Sequence, residues 1–268
     1  QASEVTKFAV IAYLSSYLIR FQADVRVSWM AFLKPMGVVA IAVALFMLEP
    51  DFGASIVLVA AVMGMLFLAG APFKIFASAT ALLGVMGAAA IFFEEYRLRR
   101  FLNFTDPWAD QFNSGYQLAQ SLIAFGRGEW FGVGLGNSVQ KLFYLPEAHT
   151  DFVLAVFAEE FGLVGMVVLI SLFWVLTNAI LKIGYKAEKL GRYYQAYLSY
   201  GIAILIGVQA LVNIGVNMGL LPTKGLTLPL VSYGGSSLIV VMGMLAIVLR
   251  IDRENTADAV ASEKRGRK

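Results

Sequence analysis

Long apolar runs recur along this chain and are separated by short polar connections. Seven of them are predicted to be membrane-spanning helices, because about 20 apolar residues are enough to cross the hydrocarbon core of a bilayer. They lie at residues 4–19, 35–49, 52–70, 73–93, 152–181, 193–216 and 236–251. The pattern therefore predicts an all-α fold: a polytopic transmembrane helical bundle with one long outer loop.

Basic residues are concentrated in alternate connections, which indicates the orientation of the chain by the positive-inside rule. The cytoplasmic parts are then 20–34, 71–74, 182–192 and the tail after Arg250. The outer parts are the turn at 49–51 and the segments 94–151 and 217–235. Because an odd number of spans ends inside, the first residues lie outside, and we expect further spans upstream of residue 1.

The composition agrees with a membrane protein. Of the 268 residues, 59% are hydrophobic and 15% are charged, whereas soluble domains carry about 25% charge. The net charge of +3 comes from the connections, so it orients the chain and does not indicate nucleic-acid binding. The absence of cysteine excludes disulfides and thiol chemistry.

We expect one transmembrane domain over residues 1–251 and a charged cytoplasmic tail over 252–268, which its composition predicts to be disordered. The outer loop 94–151 is rich in aromatic residues, which indicates a packed segment with short amphipathic pieces such as 116–125. The apolar segment 217–235 is broken by prolines and glycines. Such backbone at membrane depth must be buried or line a wet cavity, which predicts a re-entrant outer loop.

Three ionisable residues mark the mouth of the fifth apolar run. Glu147, His149 and Asp151 lie in the heptad 145–151, directly before the run that begins at Phe152. Ionisable groups beside a membrane segment are functional candidates. Asp151 is a candidate helix N-cap and equally a candidate general base or substrate ligand. One histidine among carboxylates is a poor zinc set, so a loosely held Mg²⁺ between carboxylates and a phosphate is the better metal hypothesis.

Further charged residues have both structural and functional readings. Glu4 and Lys7 are spaced i, i+3 and share a helix face, which is typical of an ion pair. Asp51 lies in an outer turn, where an exposed acid is the common structural explanation. Arg97 and Arg100 form a cluster that suits a phosphate or lipid head group and equally an ordinary solvated loop.

Two adjacent carboxylates, Glu159 and Glu160, fall within the first turns of the fifth span. At such a position they must pair with a cation, face water or be protonated. The sequence assigns them no role.

Several motifs together resemble the SEDS family of bacterial membrane proteins (shape, elongation, division and sporulation), and most closely its division members. They follow the family order over almost the whole chain. The motifs are Glu49-Pro-Asp-Phe-Gly53, Ser114-Gly-Tyr-Gln-Leu-Ala-Gln-Ser121, Gly136-Asn-Ser-Val-Gln-Lys141, Leu145-Pro-Glu-Ala-His-Thr-Asp-Phe152, Glu159-Glu160 with Gly162, Pro222-Thr-Lys-Gly-Leu-Thr-Leu-Pro229 and Leu228-Pro-Leu-Val-Ser-Tyr-Gly-Gly-Ser-Ser237.

The resemblance implies a peptidoglycan glycosyltransferase that polymerises lipid II on the outer face of the cytoplasmic (inner) membrane during cell division. It implies about ten spans in the full family fold, a location at the division septum, and partners among the divisome membrane proteins. The closest of these partners would be a class B penicillin-binding protein, a transpeptidase. The lipid product would be undecaprenyl pyrophosphate.

The resemblance also assigns residues. Asp151 matches the essential outer-loop aspartate of the family, and Glu4 and Lys7 match a Gln-Pro-Ser-Glu-x-x-Lys motif. Asp51 matches the acid of a Gln-Pro-Asp-Leu-Gly motif. The chain departs from these motifs at two positions: it has Ala2 in place of proline and Glu49 in place of glutamine.

Under this hypothesis Asp151 takes the proton of the attacking sugar hydroxyl as a general base. The remaining candidates bind substrate, and positive charge among them, or Mg²⁺, stabilises the leaving pyrophosphate. The substrate-binding candidates are Glu4, Lys7, Asp51, Arg97, Arg100, Glu147, His149 and Lys224. Two alternatives remain at this stage: a lipid II flippase or transporter, and a non-catalytic scaffold for the class B penicillin-binding protein.

Overall fold

The structure is a computed structural model that describes residues 1–49, 51–93, 98, 104–113, 115–222 and 225–266. Within these residues the main elements are eight α-helices and one π-helical turn, Gln140–Tyr144, and there is no β-strand. The helices are α1 (Ala2–Val25), α2 (Trp29–Leu48), α3 (Phe52–Leu68), α4 (Phe73–Phe92), α5 (Tyr116–Gly128), α6 (Val153–Lys189), α7 (Tyr193–Asn217) and α8 (Gly235–Gly266).

Each of the seven predicted runs forms a helix, and the predicted amphipathic piece of the outer loop forms α5. The all-α class is therefore confirmed. In the described part of the chain, four helices are long and apolar enough to cross a membrane: Trp29–Leu48, Val153–Lys189, Tyr193–Asn217 and Gly235–Asp258. The helices α3 and α4 supply shorter apolar segments.

Helix α2 begins six residues before the predicted start at residue 35. Its first turn is capped by Ser28, whose hydroxyl accepts the Met30 N–H at 3.2 Å. Pro35 lies inside the helix and has no N–H for the Ala31 carbonyl one turn earlier. The Tyr17 hydroxyl donates to that carbonyl at 2.8 Å instead. A partner from α1 therefore lets the helix continue through a proline.

The prediction of a disordered tail was wrong, because α8 continues through residues 252–266 as one helix. Asn255 is fully buried, donates to the Ile183 carbonyl at 3.2 Å and accepts from Arg192 at 3.3 Å. Arg192 also pairs with Glu254. Three acids of the predicted tail, Asp252, Glu254 and Asp258, thus pair with Lys186 or Arg192 near the connection between α6 and α7.

The chain divides into two compact units. The first contains residues 1–77, 174–208 and 235–268, and the second contains 78–173 and 209–234. In the first unit, α1 packs against α2, α3 and α8. Gly201 of α7 permits a close approach there, since a Cβ atom at this position would lie 2.5 Å from Ile11 and 2.7 Å from Met65.

Gly201→Ala is expected to destabilise the protein by about 1–3 kcal/mol, because the added methyl group overpacks the contact between α1, α3 and α7. The measurement is the thermal unfolding midpoint of the detergent-purified protein. Gly243→Ala in α8 is the matched control, because a Cβ atom there meets nothing within 4 Å. Equal midpoints for the two variants would contradict this packing.

Candidate functional site

The heptad 145–151 lies in the second unit and is anchored by its apolar members. Leu145 and Ala148 are buried in a cluster with Ala124, Phe152 and Ala155. Glu147 and His149 are exposed and Asp151 is half-buried. The apolar positions therefore fix the segment to α5 and to the start of α6, while its ionisable side chains remain accessible.

Glu147 shapes a turn within the heptad. Its φ angle is +57°, which is uncommon for a residue other than glycine. Its carbonyl accepts the N–H groups of Thr150 and Phe152, each at 3.1 Å. Its carboxylate accepts the Thr150 hydroxyl at 2.5 Å. The structure thus gives Glu147 a role in holding the turn, and its predicted role in substrate binding stays a prediction.

The irregular segment 225–234 pairs with the backbone of the heptad. The Tyr233 N–H donates to the His149 carbonyl at 2.9 Å. The Ser232 hydroxyl donates to the Thr150 carbonyl at 2.6 Å and accepts the Leu228 N–H at 2.7 Å. As predicted, this segment is irregular between α7 and α8, and its function in the fold is to hold the heptad.

The carbonyl of Asp151 is held by two side-chain amides of α7. Asn213 and Asn217 each donate to it at 3.0 Å. Asn213 also donates to the Leu226 carbonyl at 2.5 Å. The helix α7 therefore joins the heptad to the segment 225–234 at the residue that the sequence singled out.

The Asp151 carboxylate lies against the backbone of Gly225. A Cβ atom built on Gly225 would be 2.9 Å from the Oδ2 atom of Asp151. A side chain at residue 225 would therefore displace the carboxylate. The glycine leaves this oxygen in place beside the irregular segment.

Glu159 is fully buried and accepts several hydrogen bonds. The Ser138 hydroxyl donates to it at 2.5 Å, and the N–H groups of Val139 and Gln140 donate at 3.2 Å. Arg127, which is half-exposed, lies 3.3 Å from the Oε1 atom, the oxygen that also accepts the Val139 N–H. Backbone donors and one guanidinium thus compensate a carboxylate that would otherwise be costly to bury.

Glu160 pairs with Lys141 at 2.7 Å and accepts the Ser138 N–H at 3.4 Å. With Glu159, it ties the loop 138–141 to α6. The structure therefore gives both carboxylates a structural role that the sequence did not supply.

Helix α6 is interrupted at Gly162, where φ is +63° and ψ is −162°. The loop 129–134 supplies backbone partners on both sides of this break. The bonds run from Val133 N to Glu159 O (3.0 Å), Gly134 N to Glu160 O (3.1 Å), Leu163 N to Glu129 O (2.9 Å) and Val164 N to Trp130 O (3.1 Å). The loop thus replaces part of the helical ladder and positions the first two turns of α6.

An apolar cavity of about 520 Å³ opens beside this break in the second unit. Its walls come from α5 and α6, from the two residues after α5 and from the residue after α7. They include Phe125, Trp130, Met166, Ile170 and Met218. Its lining suits a hydrocarbon chain.

Three candidates lie in the first unit. Glu4 and Lys7 form the predicted i, i+3 ion pair at 2.7 Å, and their side chains are 4% and 0% exposed. Asp51 caps α3, because its carboxylate accepts the Ala54 N–H at 2.9 Å. The predicted ion pair is thus buried within the first unit. Asp51 has a capping role.

Arg97, Arg100 and Lys224 lie outside the described residues. Among the residues that the structure does describe, no group of three or more histidine, aspartate or glutamate side chains is arranged to hold a metal ion. The hypothesis of a loosely held Mg²⁺ stays a prediction.

The amides of α7 carry no charge, so the pattern of ionisable groups in the sequence does not include them. A pattern of amides was present, because Gln209, Asn213 and Asn217 recur every four residues in the otherwise apolar stretch 201–217. That spacing places all three on one face of the helix.

A family model described as "Cell cycle protein" (FtsW/RodA/SpoVE) matches residues 1–257 of the chain. The chain is 57% identical to the probable peptidoglycan glycosyltransferase FtsW of Halomonas elongata over 95% of its own length and 64% of that relative. It is 54% identical to the protein of the same name from Marinobacter nauticus, covering 67% of it. The chain thus spans about two thirds of the length of these relatives.

The fold is similar to one solved in work on the "structural coordination of polymerization and crosslinking by a peptidoglycan synthase complex". The TM-score is 0.77 at 27% identity, over 95% of this chain and 70% of that one.

Gly132→Ala is expected to disturb the junction between the loop 129–134 and α6. A Cβ atom at residue 132 would lie 2.1 Å from the Glu160 carbonyl oxygen, so the backbone must move at a cost of about 1–3 kcal/mol. Gly136→Ala is the matched control, since Gly136 also has a positive φ but nothing within 4 Å of a Cβ atom. Thermal unfolding should show the larger loss at residue 132, and an equal or smaller loss there would refute the junction.

Proposed function

The chain belongs to the FtsW/RodA/SpoVE family of cell cycle proteins, the SEDS family that its motifs resemble, and we propose that it acts as a peptidoglycan glycosyltransferase of cell division. In this proposal it polymerises lipid II into glycan strands on the outer face of the cytoplasmic membrane. Support comes from the names of its relatives, which are 51–57% identical to it.

The proposed reaction joins two sugars and releases a lipid pyrophosphate as the leaving group. A hydroxyl oxygen of the acceptor sugar attacks the anomeric carbon of the donor, and the bond from that carbon to the pyrophosphate oxygen breaks. The hydroxyl proton passes to a carboxylate, since such a hydroxyl is a poor nucleophile until it loses its proton. Attack from the face opposite the leaving group inverts the anomeric centre, and polyprenyl pyrophosphate is released.

Asp151 is the proposed base. The observation that supports it is the combination of an accessible carboxylate and a fixed backbone: the side chain is half-buried, while its own carbonyl is held by Asn213 and Asn217. A base must lie within hydrogen-bond reach of the proton it removes, so a fixed backbone beneath an accessible carboxylate suits this role. Glu147, by contrast, uses its carboxylate to hold Thr150.

The leaving pyrophosphate requires positive charge. The candidates remain Lys7, Lys224, Arg97 and Arg100. Chelation tests whether a divalent cation bound through the substrate's own phosphates also contributes. Lys7, the described member of this set, is fully buried and paired with Glu4. The polyprenyl chain requires an apolar surface, for which the cavity beside Gly162 is suited.

The chain is a membrane protein. Its proposed location is the division septum, and its proposed partner is a class B penicillin-binding protein that crosslinks the strands. The similarity to a chain from work on a peptidoglycan synthase complex that combines polymerization with crosslinking supports a partner of this kind.

Asp151→Asn is expected to lower the rate of polymerisation roughly 10²- to 10⁴-fold, which is the usual contribution of a general base. The measurement is glycan strand formation from purified lipid II by the full-length protein with its transpeptidase partner. Asp106→Asn is the matched control, because Asp106 is an exposed carboxylate in a turn of the outer loop. Its rate should equal that of the wild type.

A wild-type rate for Asp151→Asn would show that Asp151 is not the base. If lipid II crosses vesicle membranes but no strand forms in any condition, the protein is a flippase. If only the partner's activity depends on the chain, it is a scaffold.

Gly225→Ala tests the position of the carboxylate without removing it. The new methyl group would lie 2.9 Å from the Asp151 Oδ2 atom, so the carboxylate must turn away. A displacement of about 1 Å can lower a rate roughly 100-fold, and we expect a 10- to 100-fold lower kcat by that argument. Gly126→Ala in α5, which meets nothing within 4 Å, should retain the wild-type kcat. An unchanged kcat for Gly225→Ala would disprove the contact.

A further inference from the structure

Helix α7 carries three buried amides on one face. Gln209, Asn213 and Asn217 are 2%, 1% and 0% exposed, and they lie in a helix that is long and apolar enough to cross a membrane. Burying an amide is unfavourable unless it is hydrogen-bonded, and polar residues in such helices usually mark functional positions. The three side chains therefore require an explanation.

Two of these amides converge on one atom. Asn213 and Asn217 both donate to the carbonyl oxygen of Asp151 at 3.0 Å, and a carbonyl oxygen has two lone pairs to accept them. Asn213 uses its amide a second time, on the Leu226 carbonyl. A single side chain thus links Asp151 to the segment that carries Gly225.

At Asn217 the N–H donors of the amide have partners, whereas its oxygen has none among the residues that the structure describes. Its Nδ2 atom donates to Asp151 and, at 3.0 Å, to the Asn213 carbonyl. Its Oδ1 atom is buried and has no partner among the described residues, which is unfavourable. A leucine of similar size would avoid that penalty. The amide is therefore explained by its N–H groups, which hold the Asp151 carbonyl.

We infer that Asn213 and Asn217 are positioning residues for the proposed base Asp151, which they hold through its backbone carbonyl. This inference rests on the proposed function. The amides fix the peptide from which the Asp151 side chain projects, and Asn213 fixes the Leu226 peptide next to Gly225 at the same time. The carboxylate is thereby held against Gly225, although neither amide touches it in the bonds described above.

The test compares Asn213→Leu and Asn217→Leu with the wild type in the full-length protein and partner, using purified lipid II. Leucine has a similar size and no donor. We expect each variant to lower kcat roughly 10- to 100-fold with KM within about twofold, because the substrate contacts remain and only the base is displaced. Asn213→Gln, which keeps the donors, should recover part of the loss.

Two further measurements separate positioning from general stability. In the Asp151→Asn background, Asn213→Leu should cause no additional loss of the residual rate, because the amide acts through Asp151. Hydrogen–deuterium exchange should accelerate in residues 145–152 and 225–234. The matched control is Asn255→Leu, which also removes a fully buried amide that donates to a backbone carbonyl. It should retain the wild-type kcat per folded molecule.

An unchanged kcat in Asn213→Leu together with faster exchange would overturn the inference and leave the amides a purely structural role. An equal loss of rate in the Asp151→Asn background would overturn it as well. If Asn213→Leu does not fold, Asn217→Leu provides the same test, since it leaves the Asn213 bond to Leu226 in place. Full activity of Asp151→Asn would instead contradict the proposed base, so the two failures are distinguishable.

Discussion

The hydrogen bonds to three successive backbone carbonyls, those of residues 149–151, are the constraint on which the site depends. The His149 carbonyl accepts the Tyr233 N–H, and the Thr150 carbonyl accepts the Ser232 hydroxyl. The Asp151 carbonyl accepts the side-chain amides of Asn213 and Asn217. The heptad is irregular and cannot satisfy these groups with a helical ladder, and unpaired backbone groups near a membrane are costly. Partners from α7 and from the segment 225–234 therefore determine where the Asp151 side chain projects.

A second set of bonds fixes the other end of the same short piece of helix. The nine residues 153–161 precede the break at Gly162, and the carbonyls of Glu159 and Glu160 accept from the loop 129–134. Their carboxylates hold the loop 138–141. Irregular segments thus hold residues 153–161 at both ends. The heptad directly before them keeps Glu147 and His149 exposed.

The sequence predicted the elements well because long apolar runs have few alternatives in a bilayer. It predicted the pairing of Glu4 with Lys7 from spacing. The assignment of Asp151 as the base comes from the family motif and stays a prediction. It could not predict that Tyr17 satisfies the carbonyl released by Pro35, because that partner comes from another helix. The prediction of a disordered tail was wrong for a related reason. Three of the tail's acids pair with Lys186 or Arg192, which lie far away in the sequence. The sequence did not point to the amides of Asn213 and Asn217, because they bond to the backbone carbonyls of Asp151 and Leu226, which are distant in the chain.

Asp151 is the proposed acceptor of the proton from the attacking hydroxyl of the acceptor sugar. The most direct test is a structure of the full-length protein and its partner with a non-reactive lipid II donor analogue and an acceptor bound. If Asp151 is the base, the attacking oxygen lies within about 2.6–3.2 Å of an Asp151 carboxylate oxygen. An attacking oxygen bound instead by another carboxylate, such as Glu147, with Asp151 beyond its reach, would contradict this assignment.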